Sequence, residues 1–420
     1  MNQAHRFAEL GIEGSVGVRY GPAPTWLYQG FLALSRDLEL LVVLRAAITM
    51  VGCAIGLMWL ARALRVNRWF VPITLASPYL WLYSRGIWDN TFLIPLAALS
   101  IGAYAEFLSH RRRTFLLLAM TCALVMPLVH LMALALVVPL FLHAAIFARG
   151  DLWRARYPML VLIGAWLVIG HGYFIWQINN HSLIKTSGNL VAGTFPFIGG
   201  RWLSAISLDE FFQDSYREVV SNSIVLDIGR SFTVLMLPAV WVGMILTRDD
   251  LKSRASERRE ALIFILMIVG AQMLLNGVTG AVGPAHYFNA TWPVFAALSW
   301  LTFERLVAFR WTRWIPAALG LSLVLVVGAI IVRIHQLGGT RGNAYGPTLA
   351  NQIEIAHALN QYGADARIRT NVTNFQQFPQ GLAVLRMLDG QPARTTRADT
   401  ALTIDYAAGP ASGRVALFPR

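Results

Sequence analysis

The sequence predicts an all-α polytopic membrane protein of about ten transmembrane helices with a small C-terminal extracytoplasmic α/β domain. Three observations carry the helical core. The chain is 56% apolar and only 14% charged, too little polar material to cover a globule of 420 residues. Its apolar residues gather into runs of membrane-spanning length. Arginine clusters separate those runs and fall between alternate pairs of them.

The runs lie at 39–61, 70–84, 88–108, 114–127, 130–148, 158–177, 231–247, 261–277, 289–308 and 315–333. The stretch 114–148 is too long for one span at ~20 residues, and Pro127 with His130 near its middle predicts two helices joined by a tight turn. Arg62/Arg65/Arg68, Arg111/Arg112/Arg113, Arg149/Arg154/Arg156, the Arg248–Arg259 stretch and Arg310/Arg313 then share one face, which the positive-inside rule makes cytoplasmic. Both chain ends are expected outside, in the periplasm if the cell is Gram-negative, and the expected location is the inner (plasma) membrane.

Three outer segments divide the chain. Residues 1–38 form a partial first extracytoplasmic loop, in which Pro22 to Tyr28 begin a helix suited to lie in the membrane interface. The core runs over 39–333 and carries a long outer loop at 178–230. The small outer domain is 334–420, with helical patterns near 347–362 and 375–389 and β-like stretches at 366–372, 401–406 and 414–418. No internal repeat is visible, which weighs against a transporter built from repeated halves.

The net charge of +13 is almost all arginine, Lys185 and Lys252 being the only lysines. Because the arginines punctuate apolar runs, they encode topology rather than a nucleic-acid surface, and no nucleic-acid partner is expected. Cys53 and Cys122 sit inside apolar stretches and read as small core residues. The histidines are scattered without metal-ligand spacing, so no metal site is assigned.

The stretch Ser77 to Asn90 places Arg85 and Asp89 at the outer ends of two consecutive helices. Charge near hydrocarbon is costly and is usually kept for a purpose. A guanidinium fork matches phosphate oxygens, and a carboxylate four residues on can accept a proton from a hydroxyl. The plainer reading is an interfacial Arg–Asp pair that pins a turn. His130 at an outer turn reads first as a structural histidine and second as a substrate contact; His171 reads as a packing residue, and Asp209, Glu210 and Asp214 as a solvated helix face.

The order of motifs resembles the GT-C glycosyltransferases of the protein mannosyltransferase and aminoarabinose transferase type. The resemblance runs from about residue 10 to about residue 310 through Arg19 to Pro24, Leu44-Arg45-Ala46, Pro78 to Asn90, and Pro284-Ala285-His286-Tyr287-Phe288 before Pro293. It implies transfer of a sugar from a polyprenyl-phosphate carrier to a lipid, glycan or protein acceptor on the outer face. It further implies Asp89 as the base, Arg85 and Arg45 as ligands of the lipid phosphate, Arg19 and Tyr20 lining the cavity, and His286 and Tyr287 touching substrate. Some members need a divalent cation, so a metal is an expectation of the family and not of the residues. The resemblance also enters abruptly: Met1 to Gly17 looks like the far half of a first outer loop, which implies that a preceding helix and an acidic pair are missing and that this form would be inactive. The simpler alternative is that the polar start is carried out by the next apolar segment. Two other functions suit the same sequence: a flippase or transporter for a lipid-linked substrate, with Arg45 and Arg85 binding its headgroup, and a non-catalytic envelope assembly protein.

Overall fold

The computed structural model describes residues 9–11, 19–85, 89–180, 224–253, 258–279, 285–337, 348–360, 367–370, 401–406 and 415–419, with the side chains of Arg85, Asp89, 224–237, 278–279, Ala285, 358–360 and the strands excepted. The chain divides into two compact units, Met1–Ser207 with Phe232–Leu323, and Leu208–Ser231 with Val324–Arg420.

The first unit is helical. A short helix α1 (Ala23–Leu34) leads to α2 (Leu38–Ala63), whose N-cap Asp37 accepts hydrogen bonds from the Glu39 and Leu40 amides. Along α2 the residues Leu41, Arg45, Thr49, Cys53, Gly56, Leu57 and Leu60 are buried, whereas Val43, Leu44, Ile48, Val51 and Ile55 are exposed. That is one helical face turned to the bundle and one apolar face left uncovered, as a helix bordering lipid requires.

Against α2 packs α5 (Leu93–His110), which follows a 3₁₀ turn at Asp89–Phe92. Their approach is close enough that a Cβ on Gly56 would collide with the Ala98 carbonyl, and one on Gly102 with the Gly56 carbonyl. Small residues at a helix crossing allow this backbone contact where lipid supplies no hydrophobic drive for association. Arg111 ends α5 in the left-handed conformation at φ 52, and Arg65 does the same after α2 at φ 54.

The span expected at 70–84 is two short helices instead, α3 (Phe70–Leu75) and α4 (Pro78–Arg85). Pro78 lacks the amide needed to continue α3 and disfavours helical geometry at Ser77, so the ladder breaks there. The split expected within 114–148 is present: α6 (Arg113–Val125) runs into a 3₁₀ turn at Met126–Leu128, and a second at Leu131–Ala133 opens α7 (Leu134–Phe147). The helices α8 (Arg149–Arg154), α9 (Arg156–Asn180), α10 (Ile224–Lys252), α11 (Arg259–Thr279) and α12 (Trp292–Val307) follow. Next comes α13 (Ile315–Leu337), which passes from the first unit into the second.

Among the described residues five helical segments are long and apolar enough to cross a membrane, Leu38–Ala63, Asn90–His110, Arg156–Asn180, Arg259–Gly277 and Ile315–Gln336, with shorter apolar segments at Arg113–Leu128 and Leu131–Phe147. They mark a membrane-embedded protein. In the second unit α14 (Leu349–Asn360) precedes a three-stranded sheet. Its first strand β1 (Arg367–Thr370) pairs in parallel with β2 (Ala401–Tyr406), opposing Arg367 to Ala401, and β2 pairs antiparallel with β3 (Val415–Pro419), opposing Tyr406 to Val415. The helix expected near 375–389, Asp209, Glu210 and Asp214 lie outside the described residues.

Candidate functional site

The first unit has two chemically distinct ends. At one, the arginine-rich turns meet. Arg62 pairs with Glu106 at 3.2 Å, Arg111 with Glu260 and at 3.9 Å with Asp151, and Arg258 with Asp250. The Asn67 amide donates to Glu304 at 2.9 Å. The ends of α2, α5, α10 and α12 and the starts of α8 and α11 are thus tied together.

The other end gathers most of the residues expected to form the site. Tyr20 lies with its ring 4.6 Å from that of His130, Tyr287 lies 5.9 Å beyond it, and His286 lies 4.6 Å from Tyr287. The Arg19 carbonyl accepts a hydrogen bond from Gln177 at the end of α9, at 3.0 Å. The backbone of Gly21 abuts that of Leu128 so closely that no side chain fits between them, which brings the Arg19–Tyr20 segment onto the α6–α7 turn.

Arg45 occupies a different place from the one expected. It is fully buried, and its two terminal nitrogens donate to the carbonyls of Tyr83 at 3.1 Å and Ser84 at 3.2 Å. Phe92 lies 5.2 Å from the guanidinium. The last carbonyls of a helix have no partner within it and carry partial negative charge, so a buried guanidinium is held there by both hydrogen bonding and electrostatics. Arg45 caps α4 and fixes the backbone leading to Arg85.

A neutral network fixes the backbone around Asp89. The Asn289 side chain donates to the Asn90 carbonyl at 3.1 Å and accepts from the Tyr79 hydroxyl. Thr291 donates to Gln272 at 3.1 Å, which donates to Asn276 at 3.0 Å. The structure thereby joins α4, the turn at Asp89, α11 and the start of α12 through buried polar groups. Tyr79 and Asn90 lie within the Ser77–Asn90 stretch and Asn289 shortly after His286-Tyr287, but the sequence assigned none of the three a role. The side chains of Arg85 and Asp89 lie outside the described residues, although the backbone of each adjoins a fixed group: Ser84 on Arg45, and Asn90 on Asn289.

Burial lowers the His286 imidazole from its ordinary 6.5 to about 4 and raises the Tyr287 phenol, so both are neutral near pH 7. His171 is exposed, with Nδ1 2.8 Å from the Val168 carbonyl. It stays within its own helix turn. Among the described residues no group of three or more His, Cys, Asp or Glu is placed to hold a metal ion. No chemistry is derived from a divalent cation. No family model, curated protein or solved structure matches the chain.

Proposed function

We propose that the chain is a membrane glycosyltransferase of the GT-C type that moves a sugar from a polyprenyl-phosphate carrier to an acceptor at the outer face. One observation carries the reading. Arg19, Tyr20, His130, His286 and Tyr287, scattered along the sequence, converge on one end of the helical unit, opposite the arginine-rich turns. By the positive-inside rule the arginine end is cytoplasmic. The convergent end is then the outer one, and the terminal segments 1–38 and 334–420 lie outside, the latter as a small α/β domain. On this topology the core has about ten crossings, with α3 and α4 together making one of them.

The transfer needs a base for the acceptor hydroxyl and a cation for the departing phosphate. Asp89 supplies the first and Arg85 the second. Arg45 and Asn289 hold the backbone on either side of them and act as positioning residues. A base fixed by its neighbours needs no reorganisation as the reaction proceeds, which is how positioned groups lower a barrier.

The test is transfer by purified protein from polyprenyl-phosphate sugars to envelope acceptors. Asp89→Asn should lower turnover by about 10²-fold or more while carrier affinity is kept, the pattern of a group needed mainly in the transition state. Arg85→Ala should weaken carrier binding more than Arg85→Lys, since only Ala loses the charge. Equal small effects would leave Arg85 a pin of its turn. Carrier binding without transfer in the wild type would favour the flippase.

A further inference from the structure

His130 sits between the two 3₁₀ turns that join α6 to α7, and it is only 5% exposed. Its Nδ1 accepts a hydrogen bond from the Met132 amide at 3.1 Å. An amide nitrogen can only donate, so Nδ1 carries no proton. The ring is therefore the neutral imidazole with its hydrogen on Nε2. That second nitrogen is buried and has no hydrogen-bond partner among the described residues.

An orphaned buried donor is expensive, and its persistence calls for an explanation. Its surroundings limit what can satisfy it. Tyr20 and Tyr287, both half-buried, lie with their rings 4.6 and 5.9 Å from the imidazole, and half-buried His286 lies edge-on to Tyr287. The imidazole itself, a neutral donor beside aromatic rings, carries no charge to offset a buried phosphate. It suits an uncharged ligand that combines oxygen acceptors with C–H faces able to lie on rings. A sugar ring has both.

We infer that His130, with Tyr20 and Tyr287, forms a subsite for the uncharged sugar ring of the carrier-linked substrate, in which the Nε2 hydrogen of His130 is donated to a hydroxyl or ring oxygen. The inference rests on the transferase reading for the carrier but assigns this cluster to the sugar and not to the phosphate. It also gives His130 two separable roles. Nδ1 caps the turn, and Nε2 reads the ligand.

Two substitutions divide those roles. His130→Asn keeps an oxygen able to cap the Met132 amide, Asn being a favoured cap, but loses the far donor. His130→Gln loses the short cap and keeps an N–H at about the reach of Nε2. Wild type and both variants, in lipid nanodiscs, are titrated with undecaprenyl phosphate, with its hexosyl, pentosyl and aminopentosyl derivatives, and with dodecyl glycosides of the same sugars. Thermal unfolding is followed in parallel.

The wild type should bind at least one glycosylated carrier more tightly than bare undecaprenyl phosphate. In His130→Asn that advantage should fall by roughly three- to tenfold, the range for one neutral hydrogen bond, with bare-carrier affinity and melting temperature unchanged. His130→Gln should keep most of the advantage while melting earlier. Equal weakening of bare and glycosylated carrier in His130→Asn, or no change in either, overturns the sugar subsite. If the wild type binds no carrier, the transferase reading fails; the sugar subsite then stands only if a dodecyl glycoside binds and His130→Asn weakens it, and falls with the transferase reading otherwise.

Discussion

The two ends of the helical unit solve the same problem by opposite means. At the arginine end helix termini are tied by ion pairs whose arginines are open to solvent, as with Arg111, 39% exposed against 34% for Glu260. At the other end buried neutral ties join Asn289 to Asn90 and Thr291 to Gln272, and the Arg45 guanidinium is completely enclosed. Exposed pairs are interchangeable and weak because water competes for each partner. Buried neutral networks fix one geometry because each unmade bond is costly. The buried neutral ties hold the backbone at Asn90 in one geometry.

The sharpest way to break this contrast is Arg45→Ala. It leaves the Tyr83 and Ser84 carbonyls without these donors in a site closed to water and should cost about 2–6 kcal/mol, at about 1–3 for each orphaned acceptor. Thermal or denaturant unfolding in detergent measures it, and loss of the α4 end should abolish transfer as well. Arg45→Lys should recover only part, because one ammonium cannot reproduce the fork on two adjacent carbonyls.

Next in size is Asn289→Leu, which removes a donor from Asn90 and an acceptor from Tyr79 and should cost about 1–3 kcal/mol. If Asn289 positions the Asp89 backbone, turnover should fall further than stability explains, and Asn289→Asp should restore the acceptor for Tyr79 but not the donor to Asn90.

A third comparison uses pH. The folded-state value of His286 lies near 4, below its ordinary 6.5. Below pH 6.5 the unfolded chain binds the proton more readily, so stability rises with pH. This contribution is complete above about 6.5 and is lost as pH falls toward 4. Melting temperatures over that interval should fall more steeply for the wild type than for His286→Gln; parallel slopes would remove His286 from its buried place.

The smallest effect belongs to the arginine end. Glu260→Gln keeps the shape of its side chain and removes one partly exposed pair, so it should cost under about 1 kcal/mol and less still at high salt. A loss as large as that of Arg45→Ala would show the two ends to be alike after all.

The residues themselves explain how much of this was legible. Apolar runs and arginine clusters are local records of burial in lipid and of topology, so α2, α5, α9, α11 and α13 could be placed to within a few residues. The break between α3 and α4 was harder to see, since Pro78 interrupts an otherwise unbroken apolar run. Motif order pointed to Arg19, Tyr20, Arg45, His286 and Tyr287, and a place at an outer turn singled out His130; neither signal says what each residue touches.

By itself, the sequence determined that this chain enters a membrane, which turns share a side, and which short motifs stand apart from the apolar background. These follow from composition and period, which act locally. Only the tertiary structure decided that Arg45 is a buried cap, that Asn289 holds Asn90, and that His130 keeps one nitrogen on Met132 and the other without a partner among the described residues. Such roles depend on which groups from distant segments meet where water is excluded, and a hydrogen bond across 199 residues leaves no periodic trace along the chain.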